Sequence, residues 1–360
     1  MLKIGISANA LRYSGGLERY AMDLVRGFAG IGIEPAFFAR RFDMTVPESG
    51  LVERHRIPVS LLPGKWRDVW FSARLLRARR AARVDVLIGC NRVDSSDIAI
   101  CGGTHIGFLR ATRRPTKRSD RRQIELEKRQ YERAAVIVAH SDLMRDELIE
   151  LYAVDEAKIE VLYPPVDGAR FTPVDAATRA ALRKRYGFAD DEIVLLFPSS
   201  SHQRKGLPLI EAALRDIDPR VVVAVAGRPL DRPAERIRHI GYVREIEDCY
   251  RAADFTILAS EYEPFGLVGV ESVMCGTPVI FPSTIGCCSA IAGQAKFVFA
   301  HGDVAALRAA IERAVTTLPV EEAHAVAGPR VPAGSVLYDT SVAAHVATLL
   351  KLAQRVSRAR

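Results

Sequence analysis

A chain of 360 residues, 49% of them hydrophobic and 26% charged, is too long for one ordinary core and suits a soluble protein of two domains, each of roughly 150 to 200 residues. No run approaches the ~18 consecutive apolar residues of a spanning helix, and Met-Leu-Lys-Ile-Gly-Ile-Ser-Ala at the start lacks the charged and apolar regions of a signal peptide, so a cytoplasmic protein is expected. The net charge of +8 is uneven: residues 1–160 hold 28 Lys and Arg against 21 Asp and Glu, whereas residues 161–360 hold 23 against 22.

A basic first half favours an anionic partner, whether a phosphorylated substrate, an acidic lipid headgroup or nucleic acid. The six cysteines form no CxxC pair and read as reduced, mostly buried thiols.

Short β-rich runs alternate with helical stretches along the whole chain, the pattern of a doubly wound α/β architecture with parallel sheets. In the first half, strands are predicted at 3–7, 35–39, 84–88, 98–101, 136–139 and 159–162, and helices at 16–29, 67–82, 121–133 and 142–151. The first strand-to-helix loop holds Ser14-Gly15-Gly16. This is not GxGxxG, so a dinucleotide reading is weak. The two glycines permit close backbone approach to a ligand, while Gly15 and Glu18 also suit a plain helix cap.

The helix over 67–82 begins beside the only two tryptophans, Trp66 and Trp70, and ends among Arg74, Arg77, Arg79, Arg80 and Arg83. Trp66, Val69, Trp70 and Ala73 share a face on which Arg77 and Arg80 also fall. Lipid-headgroup binding and packing against the sheet with a solvated basic end both fit that pattern. His105 follows a strand end, where α/β sites usually lie, although a lone histidine is more often structural. Residues 110–133 hold ten Lys and Arg against four acids, with a loop expected at 112–118.

Proline-rich Tyr163–Pro173 ends this first set of elements, because proline neither donates to a ladder nor sits inside a helix. The pattern then restarts, with strands at 193–197, 221–226, 239–242, 255–258, 278–281 and 297–299. The expected organisation is a domain over 1–165, a second over 166–338 and a last helix near 341–355 that is free to pack on either, including back on the first. Residues 318–338 carry no clear signal.

Two constellations carry chemistry. After the strand at 193–197, Arg204 and Lys205 are placed at the N-terminus of a helix expected from about Leu207, where the macrodipole disfavours cations and an anion resolves the conflict. After the strand at 255–258, Phe265, Gly266 and Leu267 open a helix over 266–275, whose unpaired amides and flexible glycine make a second anion site. Glu263 precedes that site and Glu271 lies just over one turn inside the helix. A carboxylate only accepts hydrogen bonds, so both suit sugar or ribose hydroxyls, or else one is solvated and the other pairs with an arginine. Asp216-Ile-Asp218 matches a metal-binding DxD in letters, but it precedes a strand and reads as turn chemistry, so no metal site and no cofactor are expected.

Arg204-Lys-Gly206 followed by Glu263-x7-Glu271, within Glu-Pro-Phe-Gly-Leu and Glu-Ser-Val-Met-Cys-Gly-Thr-Pro-Val-Ile, resembles the retaining GT-B glycosyltransferases of family 4. With Ser14-Gly-Gly-Leu-Glu-Arg-Tyr20 and the overall length, the chain is similar to the lipopolysaccharide-core α-glucosyltransferases within it. The resemblance implies two Rossmann-like domains facing each other across a cleft, with acceptor binding in the first and nucleotide-sugar binding in the second. Lys205 and Arg204 would then grip a diphosphate, Glu271 the ribose, Glu263 the donor sugar, and the amides at 265–267 the phosphates, while Val243 in the 241–244 loop would seat the base. Gly15 and Gly16 would face phosphate and acceptor, and His105 the donor sugar or acceptor. Many members carry an arginine where this chain has Ser199, which leaves Arg204 to take that load.

The implied reaction is metal-independent, retaining transfer of a hexose, most simply from a UDP-sugar, to a membrane-associated anionic glycolipid such as a lipopolysaccharide core, with peripheral contact to an anionic membrane. Another cell-surface polysaccharide or a small-molecule acceptor is the alternative. An epimerase or a phosphorylase on the same fold is a rival; no lysine after 205 sits in a pyridoxal motif. A basic nucleic-acid-binding protein would need aromatic–basic interleaving or a helix-turn-helix, neither of which is legible, so no nucleic-acid partner is expected.

Overall fold

The computed structural model describes residues 2–13, 15–318 and 330–359. Ser14 and most of the 318–338 stretch therefore lie outside the described residues. The chain divides into two compact units, Met1–Pro165 with Asp339–Arg360 and Val166–Tyr338.

In chain order the elements before Pro165 are β1 (Ile4–Ser7), β2 (Ala10–Leu11), α1 (Gly16–Gly30), β3 (Ala36–Ala39), β4 (Arg41–Phe42), β5 (Glu53–Arg56), α2 (Arg67–Ala81), β6 (Val86–Gly89), β7 (Ile98–Cys101), α3 (His105–Ala111), α4 (Arg118–Arg133), β8 (Val136–Ala139), α5 (Asp142–Tyr152) and β9 (Ile159–Val161). Then follow α6 (Ala176–Arg185), β10 (Ile193–Ser199), α7 (His202–Lys205), α8 (Leu207–Ala213), β11 (Val221–Gly227), β12 (Ile237–Gly241), α9 (Ile246–Ala252), β13 (Phe255–Ile257), α10 (Leu267–Met274), β14 (Val279–Pro282), β15 (Lys296–Phe299), α11 (Val304–Val315) and α12 (Val342–Arg358).

The first unit is built on a seven-stranded parallel sheet in the order β5-β3-β1-β6-β7-β8-β9. Parallel neighbours need crossover helices, which cover both faces and let the strands run apolar on both sides. Successive side chains show this: Phe37 enters the core under α1, and Phe38 the one under α2 with Phe71 and Leu75. Each such phenyl ring buried stabilises the unit by about 1.5–3 kcal/mol.

The last helix, α12, lies on the first unit. Val346, Leu349, Leu352, Ala353 and Val356 recur at helical spacing and close the core over α1. There is room because Gly27 has no side chain; a β-carbon there would lie 2.5 Å from Val346.

Polar groups also fix α12. Tyr20 Oη lies 2.8 Å from His345 Nε2, and His345 Nδ1 lies 3.1 Å from the Tyr163 carbonyl. A carbonyl only accepts, so Nδ1 carries the proton and the tyrosine hydroxyl donates to Nε2: the ring is neutral. His140 packs edge-on against Tyr20 at 4.5 Å. Burial, reinforced by His345, lowers His140 to about 3, and burial lowers His345 to about 4.

The second unit repeats the plan with a six-stranded parallel sheet, β12-β11-β10-β13-β14-β15. Asp254, fully buried before β13, accepts from Arg179, from Arg183 and from the Val194 N–H, and so ties α6 to the sheet between β10 and β13.

The two histidines contribute to the acid behaviour. Their folded values lie below the unfolded value near 6.5, so the unfolded chain takes up protons first and stability falls as pH drops from about 6.5 towards about 4. Each costs up to ~1.4 kcal/mol per pH unit in that window. The urea midpoint of the first unit should drop between pH 7 and pH 5, and less steeply in His345→Gln; a midpoint that stays level in the native chain contradicts the assignment.

Candidate functional site

In an open α/β sheet, ligands bind beyond the carboxyl ends of the strands where the strand order reverses. In the second unit the order reverses at β10 and β13, which pair in parallel with Leu195 opposite Phe255. The loops following these strands carry residues 200–206 and 258–266, so the topology brings both constellations to one place.

Backbone hydrogen bonds join the loops. The Ala259 N–H donates to the Lys205 carbonyl at 3.0 Å and the Glu261 N–H to the Arg204 carbonyl at 3.1 Å. Gly206 makes this contact possible: its φ is +82°, and a β-carbon there would stand 2.1 Å from the Ala259 carbonyl oxygen.

The side chains then meet. Lys205, only 8% exposed, donates from Nζ to Glu263 Oε2 at 2.7 Å, and the Arg204 guanidinium stands 3.9 Å from the same oxygen. This corrects the expected local fold. Arg204 and Lys205 do not open a helix from Leu207; they close the separate turn α7, at its carbonyl end, where cations are favoured. Glu263 supplies their counter-charge.

Next along the chain, Gly266 caps α10 with φ +88°, and its neighbours are held from below. The Cys287 N–H donates to the Phe265 carbonyl and the Gly286 N–H to that of Glu263. Cys287 Sγ packs beneath Gly266 and Gly269, where burial holds the thiol well above its ordinary range and keeps it neutral. The amides around Leu267 are thus set on a rigid support at the start of an eight-residue helix.

Glu271 lies on α10, 4% exposed, and accepts from the Tyr250 hydroxyl of α9 at 3.0 Å. Nothing in the sequence pattern singles out Tyr250, since its role depends on how α9 packs on α10. Val243 is half-buried in the loop after β12, beside Tyr242, which is 87% exposed. Asp216 and Asp218 precede β11 and pair with Arg308 and Arg220 respectively.

His105, Gly15 and Gly16 belong to the first unit. Gly15 caps α1 and follows β1, which stands at the strand-order reversal of that sheet. His105 opens α3, with Thr104 as cap. Its N–H donates to Glu127 Oε2 at 2.9 Å and its Nε2 lies 3.0 Å from Asp120 Oδ1. Glu127 is buried and also takes Arg92 and Tyr152. The Lys117 N–H, together with His105 and Arg114, holds the Asp120 carboxyl below the usual range. Both acids that orient His105 lie in the basic run 110–133, so its four acids were the signal that sequence reasoning left unused.

The chain matches known proteins along most of its length. Residues 14–170 fit the family model Glycosyltransferase Family 4 and residues 178–325 the model Glycosyl transferases group 1. A probable transglycosylase of Burkholderia thailandensis is 66% identical over 98% of this chain and 97% of its own. Among solved structures, WaaG, a glycosyltransferase involved in lipopolysaccharide biosynthesis, superposes with a TM-score of 0.75 at 17% identity over 98% of both chains. Anabaena Alr3699/HepE, solved with UDP and glucose, does so with a TM-score of 0.73 at 15% identity over 98% of this chain and 100% of its own.

Gly206→Ala should push the 204–206 turn off the Ala259 carbonyl and destabilise the second unit by about 1–3 kcal/mol. A lowered denaturant midpoint measures it, and a native midpoint would show that the close approach is not needed.

Proposed function

Because this chain belongs to the family 4 glycosyltransferases of the GT-B fold, we propose that it moves a hexose, with retention and without a metal, from a UDP-sugar to a membrane-associated anionic glycolipid such as a lipopolysaccharide core. The reading places the protein in the cytoplasm, in peripheral contact with the anionic inner face of the membrane.

The observation that carries it is the meeting of Lys205, Arg204 and Glu263 beside the amides that open α10. A diphosphate is a stronger partner for two cations than one carboxylate, so it takes Lys205 from Glu263 and leaves that carboxylate to accept from the donor sugar. Glu271, steadied by Tyr250, accepts from the ribose. In transfer, the bond from the anomeric carbon to the β-phosphate oxygen breaks and its electron pair stays on phosphate. The acceptor oxygen bonds the same carbon from the same face and its proton passes to the departing phosphate oxygen. The protein's part is to stabilise the charge that develops there, through Lys205, Arg204 and the helix amides. Two fixed cations and a helix N-terminus supply what a divalent ion would otherwise provide.

The likeness to a structure solved with UDP and glucose supports the uridine donor. The likeness to WaaG and the surplus of positive charge in residues 1–160 support an anionic lipopolysaccharide acceptor.

Lys205→Ala should lower kcat by at least ~100-fold while the far-UV spectrum persists, and the native enzyme should keep its rate in excess chelator. Undiminished turnover in the variant ends the assignment. Among UDP-, GDP- and ADP-sugars, a UDP-sugar should raise Tm most, since a ligand that binds only the native state stabilises it.

A further inference from the structure

One feature of the first unit takes no part in that chemistry. The segment 57–64, after β5, runs beside the outer side of α2, and between them lies a cavity of about 610 Å3 walled by Ile57, Val59, Leu62 and Trp70. That volume falls within the ~300–1,000 Å3 typical of small-molecule sites. Arg56, Arg74 and Arg77 stand at its rim.

The apolar surface extends outward. Leu61, in the middle of the segment, is 99% exposed, and Trp66 and Trp70 are 44% and 42% exposed. The core face of α2 is Phe71 and Leu75, so the tryptophans are not core residues that merely reach the surface. Scattered single apolar side chains are ordinary, but a cluster beside an apolar cavity marks a binding surface.

The charges decide what binds. Among the described residues Arg56, Arg74, Arg77 and Arg80 have no acidic partner. The acids nearby are already engaged: Asp68 by Arg40 and Gln123, Glu53 by Lys3 and His55. The Arg74 guanidinium lies 4.9 Å from the Trp70 ring and that of Arg122 lies 4.1 Å from the Trp66 ring, so cation and indole are presented together.

An uncancelled positive rim, half-exposed indoles, a leucine held out in water and an apolar slot together match one chemistry, a phosphate with an acyl chain attached. We propose that this surface docks on anionic phospholipid in a bilayer, with Leu61 entering the acyl region, Trp66 and Trp70 at the headgroup level, Arg56, Arg74 and Arg77 on phosphates, and the cavity taking one acyl chain. The proposal rests on the membrane contact of the reading above and locates it; it needs nothing from the donor chemistry.

The test uses the full chain and vesicles of phosphatidylcholine with or without phosphatidylglycerol. Trp66 and Trp70 are the only tryptophans, so intrinsic emission reports on this surface alone. Emission should shift to the blue on phosphatidylglycerol vesicles, be quenched by acyl-brominated lipid, and recover with salt. Leu61→Asp and, separately, Arg74→Glu with Arg77→Glu should cut co-sedimentation by about tenfold or more with Tm unchanged, whereas Lys205→Ala should bind as the native chain does. If the native chain sediments but its emission does not move, or if Leu61→Asp sediments equally well, the membrane contact stands and this surface is overturned. No sedimentation at all overturns both. A blue shift that grows with protein concentration without vesicles assigns the surface to a second copy of the chain and likewise overturns the proposal.

Discussion

The parallel pairing of β10 with β13 is the constraint from which the candidate site follows. These strands are separated by two others in sequence yet adjacent in the sheet, so the loops at their carboxyl ends must share the same space. Once there, two backbone hydrogen bonds and a glycine lock them, and a lysine that is nearly buried needs a counter-charge within reach. Glu263 provides it at 2.7 Å. A shielded ion pair of this kind is a poor source of net stability, because desolvation consumes most of the attraction. Its value is geometric, since it holds the Lys205 ammonium and the Arg204 guanidinium on one carboxylate.

The same plan recurs in the first unit with a different emphasis. There too the opening strand stands where the sheet reverses and its loop carries adjacent glycines, Gly15 and Gly16. Around His105, however, the polar groups are mostly engaged with one another: Glu127 takes its N–H, and Asp120 takes its ring. Such a histidine is held in one orientation by its two acidic neighbours. The excess positive charge also belongs to this half of the chain, and part of it lies on α2, beside the apolar cavity.

Most of the elements were legible because they obey strong periodicities. The strands at 98–101 and 136–139 are short apolar runs and form where the pattern puts them. What escaped shows where local signals fail. Glu53-Arg-His-Arg56 reads as polar loop, yet it pairs with β3 as an edge strand, where only one side needs partners. Helix α3 is seven residues long and follows two glycines, too short for a recognisable period. The turn that splits α7 from α8 was hidden because Gly206 looks like any loop glycine until its neighbour at Ala259 is known. At the site, residue types and spacings named Lys205, Glu263 and Glu271. They did not name Tyr250, or the pairing of Lys205 with Glu263, since both depend on contacts between segments distant in the chain.

The chain leaves its first unit at Pro165 and returns to it only at Asp339, with α12 as the lid over α1 and the central strands. During synthesis, therefore, the earliest-made sheet waits with one apolar flank bare while the whole of the second unit is translated and folds. The core of the first unit can close only once Val342–Arg358 has emerged to cover that flank.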